Sequence, residues 1–396
     1  MFEHVQAAPP DAILGLNEAF ARDENSEKIN LSVGVFKDGS GQTPILACVK
    51  AAEQSLVQTE TSKNYLGIDG LPGFRQLVPS LLLGDDHVAI GEERIACLQT
   101  PGGTGGLRVA ADLIATLLPN ATMWCSQPTW PNHPKVFAAA GLRVQTYPYL
   151  DMSTNQLDIE AMLAKLETIP SGDVVCLHAS CHNPSGVDPT PVQWQSLATL
   201  ISNRGLIPVV DCAYQGFGNG LEEDVYGLRT LCEACPEVFV CNSFSKNFGM
   251  YSERIGGLTL VAGKSETAKA LGSHAKACVR ANYSNPPKHG AAVVAEILGS
   301  TELSQQWNSE LSGMRDRIHH VREEFVTKMS QRVPDRDFSF IKEQKGMFSF
   351  SGLNPMQVDR LRNEFSIYIV GSGRINVAGI TPTNIDRLCD SIATVL

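Results

Sequence analysis

"RIACLQTPGGTGGLRVAADLIATLL", residues 94–118, decides how the chain is read. An apolar run, "RIACLQT", is closed by a glycine-rich turn, and an amphipathic stretch, "GGLRVAADLIATLL", follows. A short apolar run, a turn and then a 3.6-period segment read as a buried strand feeding a helix. The alternation continues along the chain. "ATMWCSQ" gives way to "PNHPKVFAAAG", "LRVQTYPYL" to "LDIEAMLAKLETI", and "DVVCLHAS" to "VQWQSLATLISNRG". "LIPVVDCAYQ", "EVFVCNSFS" and "GGLTLVA" close the series near residue 262. Near-continuous apolar runs of this kind predict buried, mainly parallel strands joined by helices. In such sheets ligands bind beyond the carboxyl ends of the strands, so the residues just after each run are the candidates for chemistry.

The C-terminal part reads differently. "MRDRIHHVREEFVTKMSQRV" predicts a long helix, and "GMFSFSGL", "IYIVGSGRINVAG" and a final helix follow. These predict a smaller α+β domain that shares its core with residues near 15–45. The first dozen residues, with "APPD", predict an extended arm. The bulk numbers narrow the partners. The 396 residues, 43% hydrophobic and 19% charged, have ample length for one large core and a second, smaller one. A net charge of −10, from 42 acidic against 32 basic residues, argues against nucleic acid and anionic membrane surfaces. No stretch approaches the roughly 20 apolar residues of a membrane span. The start, "MFEHVQAAPPDAILGL", lacks the basic and apolar regions of a signal peptide, so a cytoplasmic protein is expected. Eleven cysteines in apolar surroundings suit reduced thiols, and Cys232 and Cys235 form a lone CxxC without a second pair or a nearby histidine.

The strand ends carry the chemistry. The first has Gly102, Gly103 and Thr104 opening a helix, where backbone N–H groups can meet an anion, although a plain tight turn reads the same way. The second carries Trp130 and His133; the indole can stack on a planar ring or fill core. After "DVVCLHAS" come His178, His182 and Asn183. Two histidines four apart could bind zinc on a helix, but Pro184 argues against a helix there. Asp211 ends an apolar run, where a carboxylate is costly unless it faces a cation, and Tyr214 lies three residues on. Then "NSFSKNFGMYSERIGG" offers Ser243, Ser245, Lys246 and Arg254. A lysine in a loop is ordinarily just solvated. Together, however, these residues describe one ligand with a phosphate, a flat ring, a protonated ring nitrogen and an electrophile for an amine. Pyridoxal 5′-phosphate has all four.

"SKNYLGIDG", "QTPGGTGGLRVAADL", "CHNPSG", "AYQGF", "SFSKNFGMYSERIGG", "RANYSNPP", "DFSFI" and "GRINVAG", in that order, closely resemble the class I aspartate aminotransferases. The resemblance runs from the first residues to "ATVL". It implies the fold-type I architecture of pyridoxal-phosphate-dependent transferases, an α/β fold with a mostly parallel seven-stranded sheet and a smaller α+β domain. It also implies a homodimer with shared active sites. The boundaries expected are an arm over 1–14, a small domain over 15–45 and 314–396, and a large cofactor-binding domain over 46–313. Carried over, Lys246 is the lysine bonded to the cofactor's aldehyde, and Asp211 pairs with the pyridine nitrogen, supported by His133. Asn183 and Tyr214 match the residues that hydrogen-bond the ring oxygen, and Trp130 matches the stacking tryptophan. Gly103, Thr104, Ser243, Ser245 and Arg254 match the phosphate cup, and Tyr65 reaches the phosphate from the other subunit. Arg374 matches the clamp on the substrate α-carboxylate, with Gly34 a backbone contact beside it. Arg280 matches the neighbouring subunit's arginine for a side-chain carboxylate.

One arginine per carboxylate selects dicarboxylates such as aspartate, glutamate and 2-oxoglutarate. An aromatic aminotransferase is the alternative, if Arg280 swings out. Ser185 stands where the family more often has threonine and Phe36 where tyrosine is common; the second bears on substrate range. A nucleotide-binding oxidoreductase using "GGTGG" would need a dinucleotide fingerprint with an acidic residue about 20 positions on, and none is present. A binding-only relative is disfavoured because every reactive position is intact.

Overall fold

The computed structural model describes residues 1–7 and 14–396, so the "APPD" segment of the expected arm lies outside the described residues. The chain divides into two compact units. One comprises Met1–Gln42, Arg317–Glu343 and Met347–Leu396, and the other Thr43–Asp316 and Gln344–Gly346.

The larger unit is built on seven strands: β1 (Ile95–Pro101), β2 (Thr122–Gln127), β3 (Arg143–Pro148), β4 (Val174–His178), β5 (Ile207–Cys212), β6 (Val238–Ser243) and β7 (Ile255–Val261). Their spatial order is β1-β7-β6-β5-β4-β2-β3. The pairs β3–β2, β2–β4, β4–β5 and β5–β6 are parallel, whereas β7 runs antiparallel to both β1 and β6. Six strands therefore point one way and β7 alone points back. This reversal has a use. The carboxyl ends of six strands and the amino end of β7 meet at one edge, with Ile255 opposite Pro101 and Gly256 opposite Ser243. A residue just before β7 thus reaches the same edge as residues just after β1 and β6.

Composition explains the central strands. β4 and β6 are buried along their whole length, and Val209 and Val210 of β5 are fully buried, as the continuous apolar runs require. Leu98, Met123, Cys176, Val209, Cys241 and Leu258 share one core with Leu107, Val109 and Leu113 of the helix Gly102–Leu117. Each buried leucine or valine contributes roughly 1.5–3 kcal/mol relative to exposure. Helix starts follow local chemistry. Thr190 and Gln193 form a capping box before Pro191–Asn203, and the Asp158 carboxylate accepts from the Ala161 N–H at the head of Ile159–Leu166.

In the smaller unit Ile29–Asn30 pairs in parallel with Ile367–Tyr368, and Phe348–Phe350 pairs antiparallel with Arg374–Asn376. The expected long helix extends over Thr301–Arg332 and supplies residues to both units. Arg322, fully buried in the smaller unit, donates from Nη2 to the Phe348 carbonyl at 2.8 Å. All eleven cysteines are free thiols, none in a disulfide among the described residues. Burial pushes the Cys232 thiol up strongly and the Cys235 thiol to about 11, so both stay protonated at neutral pH. Among the described residues, no helix is long and apolar enough to cross a membrane.

Candidate active site

The edge shared by the strand ends collects polar groups that a core would ordinarily exclude. Asp211 is the fifth residue of β5, and strand register sets it directly opposite His178 of β4 and Cys241 of β6. His133 begins the short helix His133–Ala139 after β2 and is fully buried. Its Nε2 lies 3.0 Å from Asp211 Oδ2. A carboxylate only accepts, so Nε2 carries the proton, and Nδ1 meets the Thr129 hydroxyl at 2.9 Å. Burial pushes the Asp211 carboxyl up, but the hydrogen bond and charge of His133, with Lys246 nearby, outweigh it and hold the group below its usual value. Asp211 is therefore an anion at neutral pH despite its burial.

His178 stands behind this pair, its ring 5.0 Å from that of His133. Both its nitrogens are buried without hydrogen-bond partners, and burial pushes it down to about 3, so it is neutral. His133, His178 and Asp211 offer ligand atoms all within 4.8 Å of one another. Around tetrahedral zinc, with bonds near 2.0–2.1 Å, ligand atoms stand only about 3.3 Å apart. With Asp211 Oδ2 taken by His133, the trio reads as an acid–imidazole pair with a neutral neighbour. His182 is not part of it. Ser126 Oγ and Ser185 Oγ meet its ring nitrogens at 3.0 and 2.7 Å, and Tyr149 stacks on it at 3.8 Å.

Lys246 follows β6 by three residues and is partly buried, with Nζ 4.8 Å from the Tyr214 ring centroid. Burial lowers its pKa below the ordinary amine value and the charge of Arg254 adds to this, against the opposing pull of Asp211. Tyr214 is buried, and the Asn183 side-chain amide approaches its hydroxyl at 3.4 Å. Trp130 is partly buried, packed against the core, with its ring edge-on to His133 at 5.3 Å.

Groups able to meet an anion gather at the N-terminus of Gly102–Leu117. Arg254, at φ 53 immediately before β7, donates from Nη1 to Ser245 Oγ at 3.2 Å, and the Ser245 N–H donates to Ser243 Oγ at 3.3 Å. Gly102 has φ 74, and a Cβ there would stand 2.5 Å from Arg254 Nη2. A side chain at Gly103 would crowd Ser243 Cβ at 3.1 Å. These glycines keep the guanidinium, the hydroxyls and the first helix N–H groups clear for an anion, beside Thr104.

Of the remaining residues singled out in the sequence, Tyr65 is 93% exposed, and Arg280 is exposed at the end of Ser265–Asn282 with its guanidinium on the Ser284 hydroxyl. Arg374 and Gly34 belong to the smaller unit. Arg374 is buried there, donating from Nη2 to the Ser32 carbonyl at 2.6 Å with its guanidinium 4.2 Å from the Phe348 ring centroid. A Cβ on Gly34 would stand 2.5 Å from Phe348 Cζ. Phe36 is buried in the same unit, 5.7 Å from the Arg317 guanidinium. Sequence reading missed Thr129, which meets the His133 ring, and assigned no role to His178 beyond a metal question. Only the four-residue spacing between Thr129 and His133 at a helix start could have pointed to the first.

A model of class I and II aminotransferases matches residues 26–392. The chain is 52% identical over 396 residues to the aspartate aminotransferase of Escherichia coli (strain K12), covering 100% of each. It is 48% identical over 394 residues to an aromatic-amino-acid aminotransferase of Pseudomonas aeruginosa, covering 100% of this chain and 98% of that one. The solved structure of an aromatic-amino-acid aminotransferase from Burkholderia pseudomallei, covalently bound to pyridoxal phosphate, superposes with a TM-score of 0.97 at 45% identity, covering 100% of this chain and 99% of that one. The shared fold, the matched family model and the full-length relatives agree: the chain belongs to the class I and II aminotransferases.

Proposed function

We propose that the enzyme is a pyridoxal-phosphate-dependent transaminase that exchanges the amino group between L-aspartate and 2-oxoglutarate, giving oxaloacetate and L-glutamate. The observation that carries this reading is the meeting, at one strand edge, of a depressed amine, a His133-held carboxylate and a glycine-lined anion cup. The donor set fits pyridoxal 5′-phosphate. Ser243, Ser245, Arg254, Gly103 and Thr104 would take the phosphate, with Tyr65 from a second subunit, and Asp211 the ring nitrogen. Asn183 and Tyr214 would take the ring oxygen, Trp130 the ring face, and Lys246 the aldehyde carbon.

When bound, the cofactor supplies an electron sink for the carbanion left when an amino acid loses its α-proton. Asp211 keeps a proton on the ring nitrogen because its own carboxyl stays ionised. Lys246 Nζ, its pKa lowered by burial, serves as the base that takes the proton from substrate Cα. A second 2-oxo acid then meets the same residues in reverse, which gives ping-pong kinetics.

Arg374 and Arg280 set specificity in this reading, the first for the α-carboxylate and the second, from a neighbouring subunit, for the side-chain carboxylate. Leaving such a fork without its carboxylate costs about 2–5 kcal/mol, which disfavours alanine. The exposure of Tyr65 and Arg280 supports a homodimer with shared sites. The free, mostly buried cysteines support a cytoplasmic setting. We further propose an arm over 1–14, a small domain over 15–45 and 314–396, and a large domain over 46–313. An aromatic preference is the second reading, favoured by an Arg280 whose hydrogen bond is to the hydroxyl of Ser284, four residues on, and which is therefore able to turn away. Turnover of aspartate, tyrosine and phenylalanine with 2-oxoglutarate separates the two. Aspartate is expected to lead, and an aromatic substrate in front would overturn the assignment.

A further inference from the structure

Asn183 sits in a turn, residues 181–188, that lies between β4 and the helix Pro191–Asn203 and belongs to neither. The residue two before it, Cys181, has φ 52, a left-handed backbone that a side chain rarely adopts. One charged side chain reaches this backbone. Asp188 Oδ2 accepts from the Cys181 N–H at 2.7 Å, and Oδ1 accepts from the His182 N–H at 2.9 Å. Both oxygens of one carboxylate thus hold the two peptide groups that lead into Asn183. Asp188 also borders a cavity of about 320 Å³, lined with it by Ser180, Trp194, Asp224 and Lys345.

We propose that Asp188 is a positioning residue for Asn183: its carboxylate fixes the left-handed turn that aims the Asn183 amide at the cofactor ring oxygen. Other contacts share in bracing the turn, the Gly186 N–H donating to the His182 carbonyl at 2.7 Å across Asn183. The Lys345 N–H donates to the Gly186 carbonyl at 2.6 Å, the Tyr149 hydroxyl to the Val187 carbonyl at 2.8 Å, and Ser185 engages His182. The groups that face Asp188 are Lys345, which opposes its charge, Asp224, which repeats it, and the neutral Tyr149 phenol and Cys181 thiol. Asp188 is partly exposed, toward the cavity, yet enclosed enough that burial pushes its carboxyl up to about 6. At neutral pH it is an anion, and charge-assisted acceptors are the strong ones.

The proposal rests on the reading of Asn183 as a cofactor ligand, and a double-mutant cycle tests the two separately. The dissociation constant for pyridoxal 5′-phosphate is measured for the full chain, Asp188→Asn, Asn183→Ala and the double variant, with the thermal midpoint of each. Asp188→Asn keeps the shape but loses one acceptor and the charge; it is expected to weaken cofactor binding about tenfold. In the Asn183→Ala background the same change should cost less than about twofold. An equal loss in both backgrounds, or a lowered thermal midpoint with an unchanged constant, overturns the positioning role. An unchanged constant in Asn183→Ala itself overturns the reading of Asn183 instead. Asp188→Ser, a shorter neutral acceptor, takes the place of Asp188→Asn if that variant does not fold.

Discussion

Asp211 and Asp188 are two enclosed carboxylates near the same strand edge, both anions at neutral pH, yet shifted in opposite directions. Burial pushes both up. At Asp211 an imidazole answers with a hydrogen bond at 3.0 Å, and the group stays below its usual value. At Asp188 two backbone N–H groups answer, and the carboxyl remains raised to about 6. At Asp211 the hydrogen bond and charge of His133, with Lys246 nearby, outweigh burial, whereas at Asp188 the two N–H bonds and Lys345 do not outweigh burial and the like charge of Asp224. The imidazole-held carboxylate is suited to keeping a proton on something else, whereas the amide-held one is suited to fixing a backbone.

The contrast can be broken at its strong end first. Asp211→Asn removes the anion and leaves the fold, and kcat/KM should fall about 10²- to 10³-fold; near-normal turnover would show that no ring proton depends on it. His133→Ala is expected to lower neutral-pH turnover about tenfold. Without His133, burial is opposed mainly by the charge of Lys246, the Asp211 carboxyl rises, and the acid limb of the turnover profile should move to higher pH. A profile that stays in place would mean that His133 does not hold the charge. The smallest effect belongs to Asp188. Its folded value, about 6, lies above its ordinary 3.8, so its contribution to stability is fully present below about 3.8 and is lost as pH rises through about 6. Asp188→Asn should abolish that component between these limits, read from urea unfolding at several pH values, and an unaltered pH slope would contradict it.

Much of this was legible before any coordinates. The runs between residues 94 and 262 announced a parallel sheet because strands buried on both faces have no polar alternation to blur them. Asp211 was legible because a carboxylate ending "IPVV" demands a reason. The direction of β7 was not, since "GGLTLVA" carries no mark of which way its neighbours run; only the pairing of Gly256 with Ser243 reveals why Arg254 reaches the cup. His178 could be noticed but not understood, because its partner is set by the register of β4 on β5. Asp188 and Thr129 are short polar residues in loops, where the ordinary reading is a turn. Arg280 and Arg374 were found through resemblance alone, because a lone arginine reads as a solvated surface group.

The central claim is that Lys246, beside Tyr214 and under the influence of Asp211, is the amine that carries pyridoxal 5′-phosphate. Peptide mass mapping of the loaded protein after borohydride reduction tests it most directly. The account predicts one added pyridoxyl phosphate group on the peptide containing Lys246, and none in Lys246→Ala. The same group on any other lysine, or an unmodified chain, would contradict it.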